Sequence, residues 1–488
     1  MTSISKDSAI ILVGSGVFGL SNALHLASNG YKNVTVFDRL DMEDKNFTLL
    51  KGADTASADI NKVFRTQYAE KKHYQDLAFQ ALQTWQKWNR DIELVPPEEA
   101  KKYTDLRLLD LCGMLRLDDI VGWEEKASRE NFAREKISSL RYDINNSEDL
   151  HRAKAAGYGP KINVALELKK KVPKLEGAFD SVSGVLYASR CLQYACYLCK
   201  SMGVKFIYGG PKGTFKEYIY RDKDTIQGII TEDGKKHYAD LVVINCGPWS
   251  TKLVPELDGI NEATAGNILT CKIPDSRKDL KAKYSSRNFP MFGWKTGHSR
   301  EHDYMAGLFM FPCMEPEGYM KIIVRQKKYT NPQVTKGGRV VSIPKTSNSS
   351  PPFRYLTKHI VKQVEEWLNI FFPDLVDLKW ESSILWYTDT INNDYIYDFV
   401  PNKQNLFVAC GGSGHAFKML PVLGQFLVDK IEGRENFYTK LFAWRNSSEF
   451  SEDPNGLREG LSGDRVYAKQ TISTPADYNF KRFNTAKL

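Results

Sequence analysis

The chain has 488 residues, 42% of them hydrophobic and 26% charged, enough for two or more packed units and unlike a disordered or fibrous chain. A mean hydropathy of −0.43 and the lack of any apolar run of about 18 residues exclude a transmembrane span. The apolar part of MTSISKDSAIILVG is too short for a signal peptide, and a buried strand explains it better.

The formal charge of +9 suits anionic ligands. Its densest runs, Lys169 to Lys171 and Lys321 to Lys328, have no nucleic-acid recognition module around them and read as solvated charge. Neither nucleic acid nor a membrane is an expected partner. The eight cysteines imply reduced thiols. The one C-x-x-C, Cys196 to Cys199, lies among Leu192, Tyr194, Ala195 and Leu198 and reads as a buried helix. His298 and His302 have ligand spacing, but their polar surroundings and the lack of a third ligand predict no metal site.

In chain order, residues 8–14 form a short buried strand, followed by Gly14-Ser15-Gly16-Val17-Phe18-Gly19. Leu20, Ala23, Leu24 and Ala27 recur at helical spacing until Gly30, and a second strand, Asn33 to Phe37, closes on Asp38. Residues 70–90 predict an amphipathic helix with Leu77, Ala81, Leu82, Trp85 and Trp88 on one side. A helix over Ala188 to Met202 leads to strand Gly203 to Tyr208. Thr214 to Tyr220 and Thr225 to Thr231 alternate like an antiparallel hairpin, and Leu241 to Asn245 is a buried strand entering Cys246-Gly247-Pro248. Strands and polar loops follow to about Val341, then a flexible connection, Ser347 to Pro352. Tyr355 to Phe371 is helical, Leu406 to Ala409 a strand, and Gly424 to Ile431 a helix stopped by Gly433. The last fifty residues are polar and are expected to wrap the surface.

Strands near 10, 34, 205, 242 and 406 belong to one nucleotide-binding unit, separated by segments of different character. The expected architecture is therefore interleaved, α/β combined with α+β. A Rossmann-like dinucleotide-binding domain takes residues 1–85, 165–250 and 380–435. A mixed-sheet substrate domain takes 86–164 and 251–379, and 436–488 form the C-terminal tail.

G-x-G-x-x-G is weak alone, but here it joins a buried strand to a helix, with an acid 19 residues after Gly19. Gly14 allows the tight turn, Gly16 lets the backbone approach a pyrophosphate, and Gly19 lets helix and strand pack. The helix N-terminus meets the negative charge, and Asp38 suits a ribose hydroxyl. A second glycine-rich strand-to-helix turn, Ala409-Cys410-Gly411-Gly412-Ser413-Gly414-His415-Ala416-Phe417-Lys418, reads as the loop beneath an isoalloxazine ring, which selects FAD over NAD.

These landmarks resemble the sarcosine oxidase-like amine oxidases, glutathione reductase-like in fold, and among them the fungal fructosyl amino acid oxidases (amadoriases). Besides the two glycine loops, the resemblance rests on Asp59 to Arg65 (D-x-N-K-x-x-R), Asn245-Cys246-Gly247-Pro248-Trp249, Trp386-Tyr387-Thr388-Asp389-Thr390 and Lys418-Met419-Leu420-Pro421. It spans nearly the whole chain. It implies an oxidase of secondary amines that passes a hydride equivalent from the carbon beside nitrogen to flavin, yields an imine that water hydrolyses, and reduces O2 to hydrogen peroxide. It implies FAD contacts from Gly14, Ser15, Gly16, Val17, Phe18, Gly19, Asp38, Asn61, Lys62, Val204, Cys246, Gly247, Trp249, Gly412, Gly414, His415, Ala416, Phe417 and Lys418. Arg65 and Lys418 match the pair that holds a substrate carboxylate, a role that suits a planar guanidinium and a point-charge ammonium. Lys62 matches a basic residue near flavin and substrate, and Lys321 a lysine on the flavin face that promotes oxygen reduction.

Two departures stand out. The relatives' flavin-tethering cysteine is Leu385 here, which implies dissociable FAD. Amadoriases also carry a sugar-contacting acid four residues beyond the lysine that Lys321 matches, where this chain has Arg325. Fructosyl amino acids are the first expected substrates. Arg325 and the segment Tyr329-Thr330-Asn331-Pro332 keep saccharopine, pipecolate and sarcosine open. A flavin dehydrogenase using another acceptor is opposed by Lys321, and a non-catalytic flavin binder by the set Lys62, Arg65, Lys321 and Lys418. The final Ala486-Lys487-Leu488 resembles a peroxisomal address read by the import receptor, which suits a peroxide-forming enzyme.

Overall fold

Strand β1 (Ala9–Val13) feeds helix α1 (Val17–Ser28), which returns the chain to β2 (Asn33–Asp38), parallel to β1 in register Ile10↔Val34 through Val13↔Phe37. This is a βαβ unit built from the apolar run and the helical spacing of Leu20, Ala23 and Leu24. The computed structural model describes residues 4–44, 47–53, 55–100, 105–118, 123–294, 307–346 and 354–483. His298, His302, the segment Ser347 to Pro352 and the terminal Ala486-Lys487-Leu488 lie outside the described residues.

Later segments complete the sheet. A short strand, β3 (Lys62–Phe64), and helices α2 (Lys72–Asp91) and α3 (Ala188–Ser201) precede the edge strand β4 (Lys205–Tyr208) beside β2. Strand β5 (Leu241–Ile244) lies on the other side of β1, and its four residues are all buried, as parallel strands covered on both faces require. On α2, Tyr74, Leu77, Ala78, Ala81, Leu82, Trp85 and Trp88 form the buried stripe that the spacing predicts.

The second sheet has eight strands. Its long members are β6 (Asn261–Lys272), β7 (Tyr319–Tyr329) and β8 (Trp380–Thr390), with β6 antiparallel between the other two. The sheet continues through Leu308–Met314, Met291–Trp294, Met114–Asp118, Glu176–Asp180 and Arg141–Asp143. One face is covered by helix α4 (Lys358–Phe371), whose Ile360, Val361, Val364, Trp367, Leu368 and Phe371 pack with Phe292, Trp294, Ile322, Val324 and Trp386. The opposite face carries Lys321 and Ile323 of β7 and Leu385 of β8, since side chains alternate along a strand.

The chain then re-enters the first sheet as β9 (Ile396–Phe399) and β10 (Leu406–Cys410), giving the order β9-β10-β5-β1-β2-β4, with only β9 antiparallel to its neighbour. Helix α5 (Leu420–Ile431) starts four residues earlier than the spacing suggests, because Pro421 is tolerated in a first turn. It packs on α1 so closely that a Cβ at Gly424 would collide with the carbonyl of Ser21, and the Gly424 amide donates to Ser21 Oγ at 2.7 Å. The C-terminal stretch does more than lie on the surface. Phe442, Tyr467, Tyr478 and Phe480 are buried. Thr330, just past β7, donates its N–H to the Arg465 carbonyl and accepts from Tyr467 N–H, each at 2.8 Å.

Candidate active site

The carboxyl ends of β1, β2 and β5 meet in one crevice. Gly14 N–H donates to the Phe37 carbonyl and Asn245 N–H to the Val13 carbonyl, both at 2.8 Å. Gly14 has φ +96, and a Cβ there would lie 2.7 Å from the Asn245 carbonyl, so only glycine fits the turn. A Cβ at Gly19 would collide with the Gly14 carbonyl, which fixes the third glycine by helix–strand packing. Helix α1 has no acidic residue in its first turn and no side-chain cap at Gly16, leaving its dipole end open to an anion. Ser57 Oγ accepts from Val17 N–H at 3.2 Å and lies beside Gly16. Asp38 is held in place by Ser15 N–H (2.7 Å) and Ser15 Oγ (2.9 Å) on one oxygen and Leu40 N–H (2.9 Å) on the other. Across the crevice, Cys246, Gly247 and Trp249 form the turn after β5, and the Arg39 guanidinium lies 4.5 Å above the Trp249 ring.

A second cluster joins β3 to the open face of the eight-stranded sheet. Asp59, fully buried, accepts from Lys62 Nζ and Lys321 Nζ on the same oxygen, each at 2.9 Å. Lys321, also fully buried, donates to the Asn61 carbonyl at 2.6 Å and sits 4.0 Å over the Phe311 ring. Burial pulls the Lys321 ammonium down to about 8, against the Asp59 carboxylate that favours its charge. Burial works to raise Asp59, but Lys321 and Lys62 outweigh it and hold the carboxyl below its usual range. Sequence spacing marks Asp59 as part of the D-x-N-K-x-x-R run without giving it a task. Its task here is to be the shared counter-ion of two lysines that are 259 positions apart in the chain.

The third part gathers around Tyr68. The Arg65 guanidinium lies 4.6 Å from the Tyr68 ring and donates to the Gln67 carbonyl at 2.6 Å. Lys418 Nζ lies 5.0 Å from the same ring and donates to the His415 carbonyl at 2.9 Å. Lys418 is 3% exposed, and among the described residues no carboxylate pairs with it. Burial, and then the positive charges of Arg65 and Arg325, push its ammonium well below the ordinary lysine range. Trp85 of α2 fixes the backbone here, its indole N–H donating to the Lys418 carbonyl at 2.7 Å.

The glycine-rich loop reaches this point because β8 binds it. Ser413 N–H donates to the Thr388 carbonyl (2.8 Å) and Gly412 N–H to Thr388 Oγ1 (3.1 Å). Two separate motifs of the sequence thus become one structure. The His415 ring packs against Tyr74 and Tyr395, with centroids 4.7 and 5.0 Å away, and burial followed by the Lys418 charge keeps it neutral. Phe417 and Ala416 are buried beside Phe18 in the core of the first sheet.

These residues fit a bound FAD. Besides the open helix end, buried polar atoms of Asn61 (Oδ1), Thr66 (Oγ1), Tyr68 (hydroxyl) and His415 (Nε2) have no partner among the described residues. A bound ligand would supply partners for them. Leu385 lies on the open face of β8 and packs with Leu49, Ile268 and Ile323.

Val204 is the exception. It immediately precedes β4, whose Lys205 pairs with Thr35 and whose Tyr208 pairs with Asp38. Val204 is therefore at the amino end of its strand, roughly 13 Å along it from the crevice. The segment that does flank Asp38 is the turn after β4, where Gly209 N–H donates to the Asp38 carbonyl at 3.0 Å. An apolar residue at a strand's start looks the same in sequence as one at its end, and only the parallel register separates them. Among the described residues there is no cluster of three or more His, Cys, Asp or Glu arranged for a metal, and no helix long and apolar enough to cross a membrane.

Residues 9–430 match the profile of the FAD dependent oxidoreductases. The L-saccharopine oxidase of Schizosaccharomyces pombe is 26% identical over 470 residues, covering 91% of this chain and 94% of that relative. The peroxisomal sarcosine oxidase of Mus musculus is 23% identical, covering 86% and 90%. Among solved structures, a modified fructosyl peptide oxidase from Aspergillus nidulans superposes with a TM-score of 0.73 at 24% identity, over 96% of this chain and 99% of its own. The glycine cradle on α1, Asp38 and the orphaned polar atoms of Asn61, Thr66, Tyr68 and His415 agree with the profile match: the chain belongs to the family of FAD dependent oxidoreductases, and FAD is its cofactor.

Proposed function

We propose that this chain is an oxidase of secondary amines that carry a carboxylate, with O2 as the final acceptor. The observation that carries the proposal is Lys418, a buried cation that no described carboxylate neutralises, next to Arg65 on the ring of Tyr68. An unpaired buried ammonium is costly, and an incoming carboxylate removes that cost. The two cations would hold one carboxylate from two sides and so fix the amine end of the substrate against the flavin.

FAD, when bound, supplies the two-electron acceptor and passes the electrons to O2. In the balanced reaction the amine loses the hydrogen on carbon, the hydrogen on nitrogen and two electrons in all as hydride and proton, and a C=N bond forms. The same two hydrogens and two electrons convert O2 to hydrogen peroxide. Water then adds across the C=N bond and splits it into a carbonyl compound and a free primary amine. The chain's own part is to bind and orient the amine with Arg65 and Lys418, and to keep Lys321 cationic on the open sheet face. A positive charge held in a dry site stabilises the anion formed when O2 takes an electron. Asp59 keeps that charge in place through its 2.9 Å contact with Lys321. Gly14 to Gly19, Asp38, Asn61, Lys62, the turn Cys246 to Trp249 and the loop Gly412 to Phe417 would hold FAD. Because Leu385 offers no thiol, that hold would be non-covalent.

Within this class the resemblance in the sequence favours fructosyl amino acids, and the A. nidulans neighbour is named a fructosyl peptide oxidase. The S. pombe and mouse relatives are named for saccharopine and sarcosine. A peroxide-coupled screen of fructosyl-valine, fructosyl-lysine, saccharopine, pipecolate and sarcosine on flavin-loaded protein tests the proposal. Turnover of at least one, with KM raised in Lys418→Met, is the expected result. No turnover of any of the five, or an unchanged KM in Lys418→Met, would overturn it. A peroxisomal location, from Ala486-Lys487-Leu488 and the peroxide product, is tested by whether a fluorescent protein carrying that tail enters peroxisomes or stays diffuse.

A further inference from the structure

We propose that Arg325 is a second anion-recognition residue of the same site, so that the N-substituent of the substrate carries a carboxylate of its own. This rests on the reading of the site as a secondary-amine oxidase and narrows it to one substrate class, to which saccharopine in the screen belongs and sarcosine does not: N-(carboxyalkyl) amino acids, acidic on both arms of the amine.

The backbone singles Arg325 out. In the ladder between β6 and β7, Asn267 pairs with Val324 and Ala265 with Tyr329. Four residues of β7 therefore bulge out opposite the single residue Gly266, and Arg325 is the first of them. Bulges re-aim side chains and occur next to active sites. The Arg325 amide still donates to the Gly307 carbonyl at 2.8 Å, which fixes where the bulge begins.

The side chain turns back over the glycine-rich loop. A Cβ on Gly414 (φ +70) would overlap the Arg325 guanidinium, and the Tyr387 ring lies 3.7 Å from the same point. Gly414 is thus the residue that leaves room for this arginine. From there its charge reaches Lys418, Tyr68 and Tyr387, which belong to the carboxylate clamp and the adjoining face of β8.

The charge balance is the second observation. Arg190 is paired with Glu317 (3.0 Å), Arg465 with Glu262 (2.8 Å) and Lys328 with Asp389 (2.9 Å). Arg325, solvent-facing, has no carboxylate partner among the described residues, and Asp389 is already engaged by Lys328. Lys418 and Arg325 therefore present positive charge to one space. A single carboxylate leaves a surplus, and the hydroxyls of a sugar do not reduce it. A second carboxylate does, by the bidentate geometry that arginine provides.

The test compares wild-type, Arg325→Gln and Arg325→Lys proteins, loaded with FAD, on an N-(carboxyalkyl)glycine, its carboxamide isostere and N-methylglycine. In wild type the diacid should exceed its amide in kcat/KM by about 10- to 100-fold, the worth of a hydrogen bond to a charged group. Arg325→Gln should remove that preference, and Arg325→Lys should restore part of it. Equal use of diacid and amide by wild type, or equal loss of all three substrates in Arg325→Gln, overturns the proposal. Binding supplies a readout independent of turnover. Titrated against the flavin absorbance, adipate should bind wild type at least tenfold more tightly than hexanoate and Arg325→Gln no more tightly. If no amine is oxidised yet adipate retains its advantage, the oxidase reading fails and the anion site stands; equal binding of the two probes sinks the anion site.

Discussion

Asp59→Asn removes the carboxylate that neutralises both Lys62 and Lys321 while keeping the shape of the side chain. Each lysine ammonium lies 2.9 Å from the same Asp59 oxygen, and Asp59 and Lys321 are both fully buried. Removing one partner of such a pair leaves an uncompensated buried charge, which costs about 3–5 kcal/mol. Here the asparagine also leaves two cations facing each other. Lys321 already titrates near 8 with the carboxylate present, so without it the ammonium must lose its proton at lower pH. Two measurements follow from one variant. The denaturant midpoint of the flavin-loaded protein should fall by an amount equivalent to about 3–5 kcal/mol. In stopped-flow reoxidation by O2, the wild-type rate should decline as pH rises through about 8, because the cation is the form present below that value, and the decline should move to lower pH in Asp59→Asn. The double variant Asp59→Asn with Lys321→Met removes both charges, so its cost should be smaller than the sum of the single costs by about 0.5–3 kcal/mol. Strict additivity, or an unshifted pH profile, would refute the shared counter-ion.

Other outcomes are open to simple tests. Acid precipitation should release all the flavin into the supernatant, whereas a yellow pellet would contradict the non-covalent hold that Leu385 implies. Lys418→Met should raise KM for a carboxylated amine by about 10- to 100-fold, with a smaller change in kcat; a loss confined to kcat would mean that Lys418 does not bind substrate. Gly424→Ala should destabilise by about 1–3 kcal/mol, because its Cβ meets the Ser21 carbonyl of α1, and an unchanged melting temperature would show that α1 and α5 can part without cost.

The nucleotide-binding sheet was legible in the sequence because each of its signals is local. Gly14, Gly16, Gly19 and Asp38 lie within one βαβ unit, and the buried strands at Leu241 and Leu406 are short, continuous apolar runs. The helices at residues 123–134, 147–155 and 159–171 were not read. The first and third carry only a weak apolar stripe, the third burying a few residues such as Ile162, Ala165 and Leu168, and the second is short and mostly polar. The individual site residues were findable through motifs, but their partnerships were not. Nothing in the spacing ties Asp59 to Lys321, because the contact is made where the segment just before β3 meets the open face of β7. The Val204 expectation failed on the same point: direction along a strand is a property of register. Arg325 was noticed only as a departure, and the bulge that aims it has no signature in composition or periodicity.

The central claim is that the pair Arg65 and Lys418 makes a carboxylate necessary on the amine. It is tested most directly by kcat/KM for the best substrate of the screen against its carboxamide, with peroxide counted per amine consumed. The account predicts at least a tenfold preference for the acid, one hydrogen peroxide per amine, and loss of the preference in Lys418→Met. Equal use of acid and amide, or amine oxidation without peroxide, would contradict it.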